Sequence, residues 1–564
     1  MSERLRHPVV LEEAPACSLK QVGPGHAPEG LTVTQAWSTS ASASAPAARA
    51  IVGLLLAPLC PLLNRRPTGV IVNPGQAPLP MLAPCLNPDP SASGHRTPDL
   101  ASTRARLLAG LGEGLARLPL RQATGFGSVT VPLPGLAGPA PVLAGQHFVF
   151  SHSRRGELRA GYGCVGEWQA AGPGRLETLR GQALGLKPHW YQQDPEATGL
   201  AGFTLCGFAA SPEAEGTLAD APDPFPNALL WMPEVALRRL GDCSTLTMTA
   251  ALPADRQATL AHWRGWLDRL LPRLYRPMGP SRTQGRAAIP LLRRAGVPSP
   301  GDWALAVHAA LEAITEGRLN KVVLSRQVRV QSPRAFDLEH LAEALDRLYP
   351  SCQGVRIQRD GLSLVAATPE RLLAQEGRRV EVDAIAGTAA RAAGGGRDAA
   401  LGAAMLSSPK ELHEHALVVE ALRSALAPHS RHLEVPDRPR VLCLHNAQHL
   451  WTPIRAEVGR DLDLLRLADL LHPTPATQGS PREAAGVWLR QAEPAARGWY
   501  TGAAGWLGPD LDGELWVLLR CAQIRGRSAL LQAGAGIVAG SDPRSEWWET
   551  EAKLSAMLTA LQYA

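Results

Sequence analysis

Aromatic residues are scarce, at 5% of the 564 positions, and no stretch packs lysine and arginine densely enough to follow a phosphate backbone. The formal charge of +6 is mild for this length. Together these absences argue against nucleic acid as a partner, while leaving room for a basic site that takes a small acid. The nine cysteines are scattered and odd in number, with no C-x-x-C pair and no tight Cys/His spacing. That argues against a disulfide framework and against structural zinc, and it suits a reducing, cytoplasmic location. Long hydrophobic runs are missing as well. The longest, residues 51–63, is short, is broken by Pro58 and Pro61, and lies too far from Met1 for an ordinary signal peptide, so no membrane association is expected. No solenoid-type repeat and no dinucleotide-binding glycine fingerprint is present.

What is present is enough apolar material, 45% of residues against 19% charged, to build a sizeable core. Residues 23–101 are rich in Pro, Ala, Ser and Gly without a sustained period. The reading is therefore a low-complexity, poorly ordered extension over 1–101 and a catalytic domain over 102–564. Within that domain, 102–299 reads as scaffold. It has a helix over 103–117, short strands at 129–132, 147–151 and 161–168, and an amphipathic helix over 258–271 stopped by Pro272. The half from 300 onwards is more regular. Asp302 can cap a helix closed by Gly317, and a β-branched strand over 321–330 follows at once. A strand over 362–368 ends in Thr368-Pro-Glu-Arg371. Strands at 514–524 and 530–532 precede a glycine-rich turn over 533–538.

Two helices each present a pair of carboxylates. Ser408-Pro-Lys-Glu411 reads as N-cap, first-turn proline and capping-box glutamate, and Ser541-Asp-Pro543 opens the second helix. Glu411 and Glu414 are three apart, as are Glu546 and Glu549, with Lys553 one turn further. Like charges at this spacing cost roughly 0.2–0.5 kcal/mol per pair, which a magnesium ion bound through oxygen ligands would offset. Spacing alone favours two solvated helix faces.

Lys321 opens its strand as either an edge residue or an amine held in a pocket, where desolvation would make it a usable base. Glu370, just past a strand end, is either a surface carboxylate or a shielded acid. Arg520 sits in the apolar run Leu515-Trp-Val-Leu-Leu-Arg-Cys521 and needs an anionic partner, structural or bound. His449 reads equally as a satisfied core histidine, and Gly534-Ala-Gly536 as a turn that can approach a ligand closely.

In order along the chain, Lys321-Val-Val-Leu-Ser-Arg326, Thr368-Pro-Glu-Arg371, Ile385-Ala-Gly-Thr388, Glu411-Leu-His-Glu-His415, His449-Leu-Trp-Thr452, Leu471-His-Pro-Thr-Pro-Ala476, Arg497-Gly-Trp-Tyr500, Ala533-Gly-Ala-Gly-Ile-Val538 and Ser545-Glu-Trp-Trp-Glu-Thr550 resemble the chorismate-utilising enzymes, and within them the isochorismate synthases. The resemblance implies an α+β fold with two facing antiparallel β-sheets flanked by helices. It implies Lys321 as the base that activates water and Glu370 as the acid that protonates the departing hydroxyl. It implies Glu414 and Glu549 as direct Mg2+ ligands, with Glu411 and Glu546 holding the ion's waters. Tyr500 and Arg520 would anchor the side-chain carboxylate of chorismate, with Gly387, Thr388, His449, Gly534, Gly536 and Lys553 lining the same pocket. The chain departs from the family at Leu412 and Ala416, where members often carry a basic and an acidic residue; neither change removes a ligand. The implied product feeds menaquinone or siderophore synthesis. Salicylate synthases and amine-adding relatives that draw ammonia from a glutaminase subunit are the neighbouring activities, and a non-catalytic chorismate-binding protein is the alternative of another class. Lys321 points to water as the nucleophile, so no obligatory glutaminase subunit is expected.

Overall fold

Short stretches of alternating side chains, punctuated by Gly and Pro, form strands more readily than long helices. The computed structural model describes residues 99–564 apart from 137, 214–224, 277–287, 295, 393 and 446. Most of the extension read over 1–101 therefore lies outside the described residues. The first described helix, Leu100–Arg117, opens at the end of that range, with the Asp99 carboxylate accepting from the N–H groups of Ala101 and Ser102.

Among the described residues, one sheet has thirteen strands and a second has ten. Pairing is antiparallel except between Gly125–Pro132 and Trp190–Gln193, which run parallel. The sheets face each other across an aromatic core shared by both. Phe148, Phe150, Ile357 and Leu364 come from the first sheet, and Leu205, Trp231, Trp506 and Trp516 from the second. Helices cover the outer faces: Pro409–Leu426 and Leu464–Leu471 pack on the second sheet, and Pro543–Leu561 on the first. This is the α+β arrangement the resemblance implied. Scaffold-half strands contribute to both sheets, so the two halves share one core.

Two readings change in ways that matter for the site. The run read as one strand over 514–524 is two, Gly513–Val517 in the second sheet and Cys521–Arg525 in the first, with residues 518–520 crossing between them. Beside it, Leu362–Thr368 in the first sheet hands over through Pro369 and Glu370 to Arg371–Glu376 in the second. The two crossings run antiparallel and are tied by hydrogen bonds from Val517 N to Glu370 O and from Ala367 N to Arg520 O. Glu370 and Arg520 thus sit where neighbouring strands leave one sheet for the other. Arg520 is held at φ 50°, a left-handed conformation that costs a non-glycine residue about 1–3 kcal/mol and that clusters at functional sites.

The glycine-rich turn over 533–538 is also corrected, because Ser528–Ile537 is one continuous strand. Gly534 and Gly536 lie within it, paired to Ser325 and Val323 of the strand Lys321–Gln331. Elsewhere, the strand read over 161–168 divides between Glu157–Tyr162 and Gly166–Ala170, and the helix Arg256–Leu274 runs through Pro272.

Candidate active site

Lys321 is the first residue of its strand, and its side chain is 1% exposed, too deep for an edge residue. Its Nζ lies 2.8 Å from Glu414 Oε1. Burial works to raise the Glu414 carboxyl, but the ammonium beside it overrides that and holds the carboxyl below the usual range. Gly536 explains how the two meet. A Cβ there would stand 2.4 Å from Glu414 Oε1 and 3.0 Å from Lys321 Cε, so only glycine lets the strand pass behind the pair.

Glu370 lines the same cavity as Lys321 and is 4% exposed. Desolvation pushes its pKa up to about 8; Lys321 pulls the other way, and nearby Asp383 adds to the rise. A buried carboxyl next to a second carboxylate keeps its proton at neutral pH, as a general acid requires.

Thr388, His449, Tyr500 and Arg520 close another side of the cavity. His449 Nδ1 lies 2.9 Å from Gly387 O, and Arg520 Nη2 lies 3.2 Å from His449 Nε2. The carbonyl can only accept and the guanidinium only donate, which assigns the proton to Nδ1. Burial and then Arg520 lower the imidazole to about 3, so His449 is a neutral acceptor that steadies the guanidinium. Burial raises the Tyr500 phenol, which stays a hydrogen-bond donor. Lys553 donates to Gly534 O at 2.9 Å and pairs with Glu549 at 2.6 Å.

Twelve of the fourteen residues singled out in the sequence line this one cavity, while Glu411 and Glu546 stand behind it. Glu411 does not complete a capping box. The Ser408 hydroxyl accepts from Glu411 N, but the Glu411 carboxylate accepts from Thr388 N at 3.2 Å and lies against Gly387, whose φ of 73° and close approach both call for glycine. Glu546 is 2% exposed and paired with Lys410 at 2.8 Å.

Within each helix the paired carboxylates repel each other, and Glu549 also acts on Glu411 from the other helix. Burial and then Glu414 raise the Glu411 carboxyl, and burial and then Glu549 raise that of Glu546. Such mutual repulsion among hard oxygen donors suits a divalent cation. Among the described residues no group of three His, Cys, Asp or Glu side chains gathers around one point. The two carboxylates that do line the cavity, Glu414 and Glu549, are the hard oxygen donors an ion such as magnesium takes when it keeps water and substrate oxygens in its other positions.

Three contributors were missed in the sequence. Lys410 read only as part of a helix start. Asp383 lies inside a strand and becomes relevant through its proximity to Glu370. Gln532 lines the cavity with an unpartnered Nε2, and its signal was a lone amide in the apolar run Leu530-Leu-Gln-Ala533.

A sheet-crossing acid, a buried lysine and a carboxylate from each of two helices meet at one cavity with Arg520 and Lys553, an arrangement that suits an anionic ligand. The chain belongs to the chorismate-binding enzymes: the family profile described as "Chorismate binding enzyme" matches residues 132–562. It is 36% identical over 406 residues to the "Salicylate biosynthesis isochorismate synthase" of Pseudomonas aeruginosa, covering 71% of this chain and 82% of that protein. It is 32% identical over 360 residues to isochorismate synthase EntC of Escherichia coli K12, covering 63% and 91%. In structure it is similar to MenF, the menaquinone-specific isochorismate synthase from Escherichia coli, at a TM-score of 0.65 and 25% identity, over 82% of this chain and 99% of that one. The family match reaches well into the scaffold half. Among the described residues no helix is long and apolar enough to cross a membrane.

Proposed function

We propose that this protein is a magnesium-dependent isochorismate synthase, an isomerase that brings water to one ring carbon of chorismate and releases the hydroxyl from another. The observation that carries the reading is Glu370, kept protonated to about pH 8 in the cavity that also holds the buried Lys321.

Water is a poor nucleophile and hydroxide a poor leaving group, so one residue must take a proton as another supplies one. Lys321 acts as the neutral amine, without the proton that pairs it with Glu414 at rest, and accepts the proton of the attacking water, while Glu370 gives its proton to the departing oxygen, which leaves as water. The chemical step leaves Lys321 protonated and Glu370 ionised; return of one proton from Lys321 to Glu370 by way of solvent resets both, and the reverse reaction uses the same two groups with their roles exchanged. Arg520, steadied by His449, and the Tyr500 phenol receive the side-chain carboxylate of the substrate. Lys553 adds positive charge to the wall carrying Gly534 and Gly536. Glu414 and Glu549 would hold the magnesium directly, and Glu411 and Glu546 its waters; when bound, the ion neutralises the ring carboxylate.

The test is to incubate the purified protein with chorismate, with magnesium or with a chelator, and to identify the products. Isochorismate without pyruvate, formed only with the metal, is expected. Salicylate and pyruvate in the absence of a partner lyase would make it a salicylate synthase instead, and unchanged chorismate would overturn the reading. Glu414→Gln is expected to raise the magnesium concentration for half-activity by on the order of ten- to a hundredfold. An unshifted titration would remove Glu414 from the ligand set.

A further inference from the structure

We infer that Arg497 and Glu493 are positioning residues, a side-chain latch that replaces a missing strand beside Lys321 and fixes the base strand against the cavity wall. The inference rests on the proposed role of Lys321 as base. The strand Lys321–Gln331 has a full neighbour on one side, Ser528–Ile537, but its other edge is paired only in pieces. Gly479–Ser480 covers Lys321 and Val322, and Val297 bonds Gln327. Between these pieces the backbone is exposed to whatever the fold supplies, and an unmet backbone group in the interior costs about 1–3 kcal/mol.

Two side chains fill the gap. Arg497 Nη2 donates to Val323 O at 2.5 Å, and Glu493 Oε1 accepts from Ser325 N at 2.8 Å. The two are joined as a fork, with Arg497 Nε to Glu493 Oε2 at 2.7 Å and Nη2 to Oε1 at 2.6 Å, and their side chains are only 10% and 8% exposed. The remaining arm of the guanidinium, Nη1, donates to Thr477 O at 2.7 Å. Val323 and Thr477 both line the cavity, as does Tyr500, three residues beyond Arg497. One planar group thus bonds the base strand, two residues from Lys321, and the adjoining loop, whose Gln478 O also accepts from Val323 N at 2.9 Å. The latch thus ties two neighbouring lining segments, Val323 and Thr477, to each other at the base.

Arg497→Lys keeps the charge but removes the fork, whereas Glu493→Gln keeps an acceptor for Ser325 N–H. For Arg497→Lys in the full-length protein, kcat is expected to fall about tenfold to a hundredfold, the range that a misplaced reacting group produces, with little change in KM. Amide exchange should quicken in the peptide covering residues 321–326, while Cys243–Leu252 keeps its protection. Glu493→Gln, which keeps the acceptor for Ser325 N–H but loses one arm of the fork, should lower kcat less than Arg497→Lys, and a larger loss than in Arg497→Lys would overturn the inference. A normal kcat in Arg497→Lys overturns the inference. So does a loss of kcat that only tracks lost folded protein, with exchange rising everywhere. If the wild-type protein leaves chorismate unchanged, the functional reading fails, yet the exchange comparison still shows whether the latch holds the base strand.

Discussion

Lys321→Ala is expected to lower kcat by roughly 10²–10⁴-fold, the contribution of one positioned acid–base group. Chorismate binding should change far less, because Arg520, Tyr500 and Lys553 remain in place. The buried amine has a second duty, and that sets a second expectation. It is the 2.8 Å counter-ion of Glu414, so its removal leaves a buried carboxylate unpaired. Breaking a buried pair in this way costs about 3–5 kcal/mol, and the metal-free variant should melt at a lower temperature than wild type. Because a cation at Glu414 would substitute for the lost ammonium, added magnesium should recover more stability in Lys321→Ala than in wild type. Stopped assays of turnover, ligand titration and thermal melts with and without magnesium separate the two effects. Full activity in the variant would end the assignment of Lys321 as base.

Glu370 gives the other large effect, and here activity and stability should move in opposite directions. Glu370→Gln removes the transferable proton, so a rate loss of about 10²–10⁴ is again expected. In wild type the rate should fall about tenfold per unit above pH 8 as the acid ionises, with the folded pKa near 8. For stability, the carboxyl ionises near 4.5 in an unfolded chain and near 8 when folded. Between those values the unfolded state has lost a proton that the folded state keeps. The stabilisation is therefore fully present below about pH 4.5, declines as pH rises, and is gone above 8. A difference of about 3.5 (8 − 4.5) at 1.36 kcal/mol per unit sets a ceiling near 5 kcal/mol. Glutamine carries no such penalty, so the inactive variant should melt higher than wild type at pH 9 and match it more nearly at pH 5. A variant equally stable to wild type at both pH values would mean that Glu370 is not the shielded acid described here.

Much of the acidic wall was legible from local rules. The caps at Ser408 and Asp542, the first-turn prolines and the three-residue spacing of Glu411/Glu414 and Glu546/Glu549 depend only on neighbours in sequence, and both helices form where those signals put them. Lys321 at a strand start and the strand over 362–368 were equally readable. The sheet crossings were not. An unbroken apolar run from Leu515 to Cys521 looks the same whether it stays in one sheet or changes sheets, because both paths bury it. Gly534 and Gly536 looked like a turn, since glycine signals close approach without saying what approaches. The capping-box reading of Glu411 failed for a related reason: its carboxylate had a better partner in Thr388, far away in sequence.

Alone, the sequence determined which side chains are on offer: two acidic helix faces, a strand-opening lysine, a glutamate past a strand end and an arginine in an apolar run. Tertiary structure decided what they are chemically. The proton on Glu370, the neutrality of His449 and the pairing of Lys321 with Glu414 all come from burial and from charges contributed by distant strands and helices. Desolvation and Coulomb forces act through space, and only the folded chain sets those distances.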